Sequence, residues 1–192
     1  MHGSLNSLKI NDEATALAEL WLALPRKGNA TLPAKTDFNP MQLRRFLRAA
    51  ILYERTRDGD IVARVAGTRV EQFIGHFITG TNVLSQVPPE HARAYQLYFE
   101  KLSRQPCAGI IERPIHSSGG GSYLVKTVHL PLTDKFGEPT FFIAVAAASN
   151  LPKHFTDYRS AAVRATHNMD ISYVDIGMGI PDNSETTLAR GA

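Results

Sequence analysis

The sequence predicts an α+β fold: a five-stranded antiparallel sheet built as two strands, then helices, then three strands, behind an N-terminal amphipathic helix. Three observations carry this. Two short β-rich runs, 50–55 and 61–66, flank Arg57-Asp58-Gly59-Asp60, and Asp-Gly is a strong hairpin signal. A proline-opened segment from 88 to 103 repeats apolar residues at helical spacing. Three long runs, 107–116, 123–132 and 140–149, are joined by connections short enough to make them antiparallel neighbours.

Residues 1–11 are small and polar and read as a mobile lead. From Asp12 the pattern turns helical, with Leu17, Leu20, Trp21 and Leu24 on one face. Asp12 and Glu13 stand where a cap and first-turn acids belong, and Pro25 ends the run. Residues 26–39 form a loop, and Pro40 suits the first position of a short helix with Leu43, Phe46 and Leu47 on its apolar face. Gly67 breaks the second strand. A short helix, 68–74, follows, with Thr68 and Glu71 spaced as a capping box and Gly75 as its C-cap. Residues 77–86 read as irregular. The next helix buries Ala92, Tyr95, Phe99 and Leu102. Pro131 suggests an edge or a bulge in the fourth strand. In this reading the helices lie on one face of the sheet. Beyond Asn150 the signal weakens: 156–165 has a helical pattern, 171–176 a strand pattern, and 181–192 reads as disordered. The domain plan is 1–11 lead, 12–150 folded domain and 151–192 extension.

Composition narrows the function. Hydrophobic residues make up 43% of the 192, enough for a core, and the net charge is only +3. The arginines Arg44, Arg45, Arg48, Arg55 and Arg57 cluster without the basic stripe and aromatic partners of a nucleic-acid surface. One cysteine, Cys107, excludes an intrachain disulfide. With no signal-like start and no apolar run of spanning length, a cytoplasmic protein is expected.

No nucleophile elbow, P-loop, H-E-x-x-H or C-x-x-C is present. Gly119-Gly120-Gly121 leads into a strand, whereas a phosphate cradle leads into a helix. Among the seven histidines, His116 and His129 fall on paired strands but about 20 Å apart, too far to share a metal. Cys107 reads as a small buried hydrophobe rather than a reactive thiol.

Several landmarks stand in order along the chain: Trp21, Leu32-Pro33, Asp37-Phe38-Asn39-Pro40, Arg64-Val65-Ala66-Gly67-Thr68, Gly75 with Thr79-Gly80, and Leu130-Pro131-Leu132. With the element order, they make the chain resemble a stand-alone bacterial PAS-domain family common in alphaproteobacteria. The resemblance covers about Trp21 to Ala148. It implies a PAS fold and a signalling or adaptor role through protein–protein contacts. It supplies no ligand, cofactor or catalytic residue.

Candidate pocket residues are Arg64, Phe73, Tyr123, Thr127 and His129. Arg64 lies among Ile61, Val62 and Val65, and a buried arginine must be paired or hold an anion. The favoured partner is an internal acid such as Asp37 or Glu112; the other is a ligand. On the fourth strand, Lys126 shares a face with Leu124, Val128 and Leu130, while Tyr123, Thr127 and His129 share the other. Periodicity leaves open which face is the core. The stripe Leu17, Leu20, Trp21 and Leu24 either packs on its own sheet or forms a homodimer seam. A small enzyme of isomerase or dehydratase type is the alternative, with Glu112, Tyr123 and His129 as its acid–base candidates.

Overall fold

The computed structural model describes residues 6–28, 30–44, 46–74, 77–87, 89–116, 122–149, 164–165 and 169–182. Among the described residues, three α-helices, α1 (Asp12–Ala23), α2 (Thr68–Ile74) and α3 (Pro89–Arg104), accompany seven strands. The strands are β1 (Ala50–Arg55), β2 (Ile61–Ala66), β3 (Ala108–His116), β4 (Ser122–Leu132), β5 (Phe141–Ser149), β6 (Arg164–Ala165) and β7 (Asp170–Val174). All pairs are antiparallel, in the order β2-β1-β5-β4-β3. Both β6 and β7 add to the outer edge of β3, so the sheet exceeds the five strands expected. Most of the helical pattern at 156–165 falls outside the described residues; Arg164–Ala165 is strand.

Helices cover both faces of the sheet, not one. The apolar stripe of α1 packs with Ile110, Val128, Leu130, Leu132, Ile143 and Val145. On the opposite face Tyr98, Phe99 and Leu102 of α3 pack with Ile51, Tyr53, Ile111, Phe142 and Ala144. Successive strand residues point to opposite faces, and here both sets meet a core. That is why β5 is a near-continuous apolar run and β4 carries apolar residues on both faces, and why their periodicity could not assign an inner face.

Several local expectations shift. Asn11 caps α1, its side chain accepting from the Ala14 N–H at 2.8 Å, and Asp12 and Glu13 fall in the first turn. The segment after Pro40 is a 3₁₀ turn, Pro40–Leu43, and another 3₁₀ turn, Val83–Gln86, lies within the expected irregular stretch. No Thr68–Glu71 capping box forms. The Gly67 carbonyl takes the Val70 and Glu71 N–H groups, while the Glu71 carboxylate accepts from the Ile78 and Thr79 N–H groups, pinning the following loop. Gly75 lies outside the described residues. Tyr98 joins Phe99 and Leu102 as a fully buried face of α3, whereas Ala92 and Tyr95 are half-buried.

Pro131 is on neither an edge strand nor a bulge: β4 lies between β5 and β3. The β3–β4 pairing stops at Gly109 opposite His129, so no β3 residue waits for an N–H at position 131. The Pro131 carbonyl instead accepts the indole N–H of buried Trp21 at 2.8 Å, which fixes α1 to the sheet. The bulge falls in the β1–β2 pair, between Leu52 and Tyr53. No helix among the described residues is long and apolar enough to cross a membrane.

Candidate functional site

The face of the sheet under α2 and α3 carries an aromatic cluster. His129 of β4 is 2% exposed and lies 5.3 Å from the ring of Phe99, 5.3 Å from that of Tyr98 and 5.6 Å from that of Tyr53, centroid to centroid. The Tyr98 hydroxyl and His129 Nδ1 are hydrogen-bonded at 2.9 Å. Burial pushes the His129 pKa down to about 3, the nearby Arg113 charge adds to this, and backbone groups of Gly109 and Thr127 oppose it. The imidazole is therefore neutral near neutral pH. Burial likewise raises the pKa of Tyr98 and Tyr53, keeping both phenols protonated. Cys107 is fully buried, and desolvation raises its thiol to about 12, the character of a core side chain rather than a nucleophile.

Gly109 makes the Tyr98–His129 contact possible. A Cβ at this position would meet the Tyr98 hydroxyl oxygen at 2.2 Å. Gly109→Ala is expected to displace Tyr98 and cost about 1–3 kcal/mol, the usual range for overpacking. Urea denaturation measures the loss. Adding Tyr98→Phe, which removes the colliding oxygen, should recover part of it; no recovery would show that the collision is not the cause.

Beside this cluster a cavity of about 210 Å³ opens between the sheet, α2 and the start of α1. Ile51, Tyr53, Val70, Ile74, Val125 and the alanines 146–148 give it an apolar wall. Thr127 and Arg113 bring polar groups to it from β4 and β3, and Asn11, Glu13 and Arg69 complete the lining. Arg69 is ion-paired to Glu13, which ties α2 to the first turn of α1 beside the cavity.

Of the sequence candidates, Thr127 lines this cavity and is 8% exposed; His129 lies buried in the adjoining aromatic cluster. Phe73 belongs to α2 and Tyr123 to β4, but their side chains are outside the described set. Arg64 is not buried. Its side chain is 47% exposed and pairs with Glu54 of β1, rather than with Asp37 or Glu112. β2 ends the sheet, and after Ala63 its residues lose cover, so a charge there reaches water. Lys126 and Glu112 are directly opposed on β4 and β3 and form a half-exposed ion pair. They share the α1 side of the sheet with Ile110 and Val128, whereas His129 faces α3. Glu112 and His129 therefore do not converge on one site, and the acid–base set of the enzyme alternative is not assembled.

The stripe proposed as a dimer seam is occupied within the chain. Leu17, Trp21 and Leu24 are at most 4% exposed, and Leu20 packs against the same cluster. Sequence reasoning missed Arg113, Tyr53 and Tyr98. Alternation along β3 holds the signal for Arg113: Ile111 and Arg113 share a face, just as Thr127 and His129 do on β4.

No curated protein sequence matches the chain. Among solved structures, VqmA bound to DPO aligns at 14% identity and a TM-score of 0.44, over 59% of this chain and 60% of the other. The match thus spans less than two thirds of VqmA. A light-oxygen-voltage domain studied with a flavin analogue aligns at 14% identity and a TM-score of 0.38, over 63% and 87% of the two chains. An RNA-binding light-oxygen-voltage receptor aligns at 16% identity and a TM-score of 0.41, over 64% and 35%. The family model PAS_5, a PAS domain, matches residues 11–146. Because this match covers more than half of the sequence, the family is shown: the chain belongs to the PAS-domain family.

Proposed function

We propose that this chain is a sensory or adaptor module that holds a small ligand in the cavity beside Thr127 and passes its occupancy to a separate protein by direct contact. The observation that carries this reading is the lining of the cavity itself. It joins the sheet, α2 and the first turn of α1, so a ligand there touches the helix that covers the opposite face of the sheet. Mostly apolar walls with a few polar groups are the usual make-up of a small-molecule site. The Glu13–Arg69 pair and the Asn11 cap sit at the junction, where a ligand would alter how α1 begins.

The same reading has the chain act as a homodimer and engage a separate signalling protein. Because the apolar stripe of α1 is already buried on its own sheet, the dimer surface is sought elsewhere on the molecule. Native mass spectrometry of the purified protein tests both halves. A small molecule released on mild activation, with a dimeric mass, is the expected result. A ligand-free monomer at all concentrations, unchanged by the cavity-filling substitution Ala146→Leu, would overturn it.

A further inference from the structure

Arg113 is the one cavity-lining cation among the described residues without a carboxylate partner. Arg69, the other, is paired with Glu13. None of the ion pairs among the described residues includes Arg113, whose guanidinium donates to the Tyr95 hydroxyl of α3 at 3.1 Å. A half-buried guanidinium carries five donors in a fork that suits a carboxylate, and one phenol oxygen uses only part of it. A charge withdrawn from water favours an opposite charge beside it. Neutral His129 and the protonated phenols of Tyr53 and Tyr98 supply none.

We infer that the cavity binds a small organic monoanion, its carboxylate held by Arg113 and its apolar body lying against Ile51, Val70, Ile74 and Val125. This inference rests on the ligand-binding half of the function proposed above and gives that ligand a chemical class. Size limits the body. A buried apolar cavity of about 150 Å³ accepts a benzene, so the cavity of about 210 Å³ takes a single ring or a short chain bearing one acid group. Thr127, two residues along β4 from Val125, the cross-strand partner of Arg113, also lines the cavity and offers a secondary contact for the acid. An inorganic anion would reach the guanidinium and leave the apolar wall unused. A neutral molecule of the same shape would fill the wall and leave the fork unsatisfied.

Benzoate and hexanoate, with benzyl alcohol, hexan-1-ol and inorganic phosphate as controls, separate these cases by chemical-shift titration of the full chain. The carboxylates are expected to bind at least about tenfold tighter than the matching alcohols, one charge-assisted contact being worth about that. Phosphate should not saturate. In Arg113→Met the preference should vanish, with alcohol binding retained, which also shows that the variant is folded. Arg113→Lys should keep a smaller preference. Equal binding of acids and alcohols to the unmodified chain, or a preference surviving in Arg113→Met, overturns the inference while leaving the ligand-binding reading intact. Saturable binding of neither class removes both.

Discussion

Acidification from pH 6.5 towards pH 3 is expected to remove on the order of 5 kcal/mol of folding stability through His129 alone. The ring is neutral in the fold because it is buried against Tyr53, Tyr98 and Phe99, which holds its pKa at about 3, against 6.5 for a free histidine. Unfolding hydrates the ring, which then takes up a proton at any pH below 6.5. The folded pKa is depressed, so the stabilising contribution is complete above 6.5, shrinks steadily below it and is exhausted near 3. Each pH unit in that window is worth about 1.4 kcal/mol. Set against a typical total of about 5–15 kcal/mol, this residue can decide whether the fold survives acid. Carboxylates titrate in the same range, so the slope rather than the absolute loss isolates His129. Urea unfolding at a series of pH values should show a slope steeper by about one proton in the unmodified chain than in His129→Phe. Parallel profiles would mean that the native ring is hydrated or already charged.

That neutral histidine also shows what was legible in the sequence and what was not. The strand and helix boundaries were readable because their signals are local. Ala50–Arg55, Ile61–Ala66 and Thr68–Ile74 fall where the Asp-Gly turn and the break at Gly67 put them. Thr127 and His129 were readable as a pair, because alternation along one strand places them on one face. Which face mattered was not readable. Apolar residues occupy both faces of β4 and β5, since α1 covers one and α2 and α3 the other. Arg64 misled for a related reason. Its strand pattern is apolar, but β2 is an edge strand and its far end is uncovered, a property of topology rather than of neighbours in sequence. The contact of Arg113 with Tyr95 crosses from strand to helix, and no local pattern encodes such a pairing. Glu71 shows the reverse case: a capping-box spacing was present, yet the carboxylate serves the loop at Ile78 and Thr79.

Gly67→Ala is expected to be the most damaging single substitution to the backbone frame, costing about 3 kcal/mol or more. The residue does not occupy a left-handed conformation, and its importance is one of space. A Cβ at position 67 would stand 2.2 Å from the Leu47 carbonyl oxygen and 2.4 Å from the Arg48 carbonyl carbon and oxygen. These are main-chain atoms and cannot swing aside as the end of a side chain would. The segment they belong to is anchored at Phe46, 3% exposed, and Ala49, 1% exposed, both within the core under α1. Gly67 is fixed from its own side as well. Its N–H donates to the Ala50 carbonyl at 2.8 Å, and its carbonyl receives the Val70 N–H at 2.9 Å at the start of α2. Relief therefore requires parting α2 from the turn before β1, and α2 forms a wall of the cavity through Val70 and Ile74. Gly80 provides the contrast, with φ at +84° and no atom within 4 Å of its missing Cβ. Gly80→Ala bears only the conformational cost, about 1–2 kcal/mol. Chemical denaturation of the two variants side by side checks the argument. A Gly67→Ala loss no larger than that of Gly80→Ala would show that the turn at 47–48 yields freely, and would withdraw the close approach as the reason for a glycine between β2 and α2.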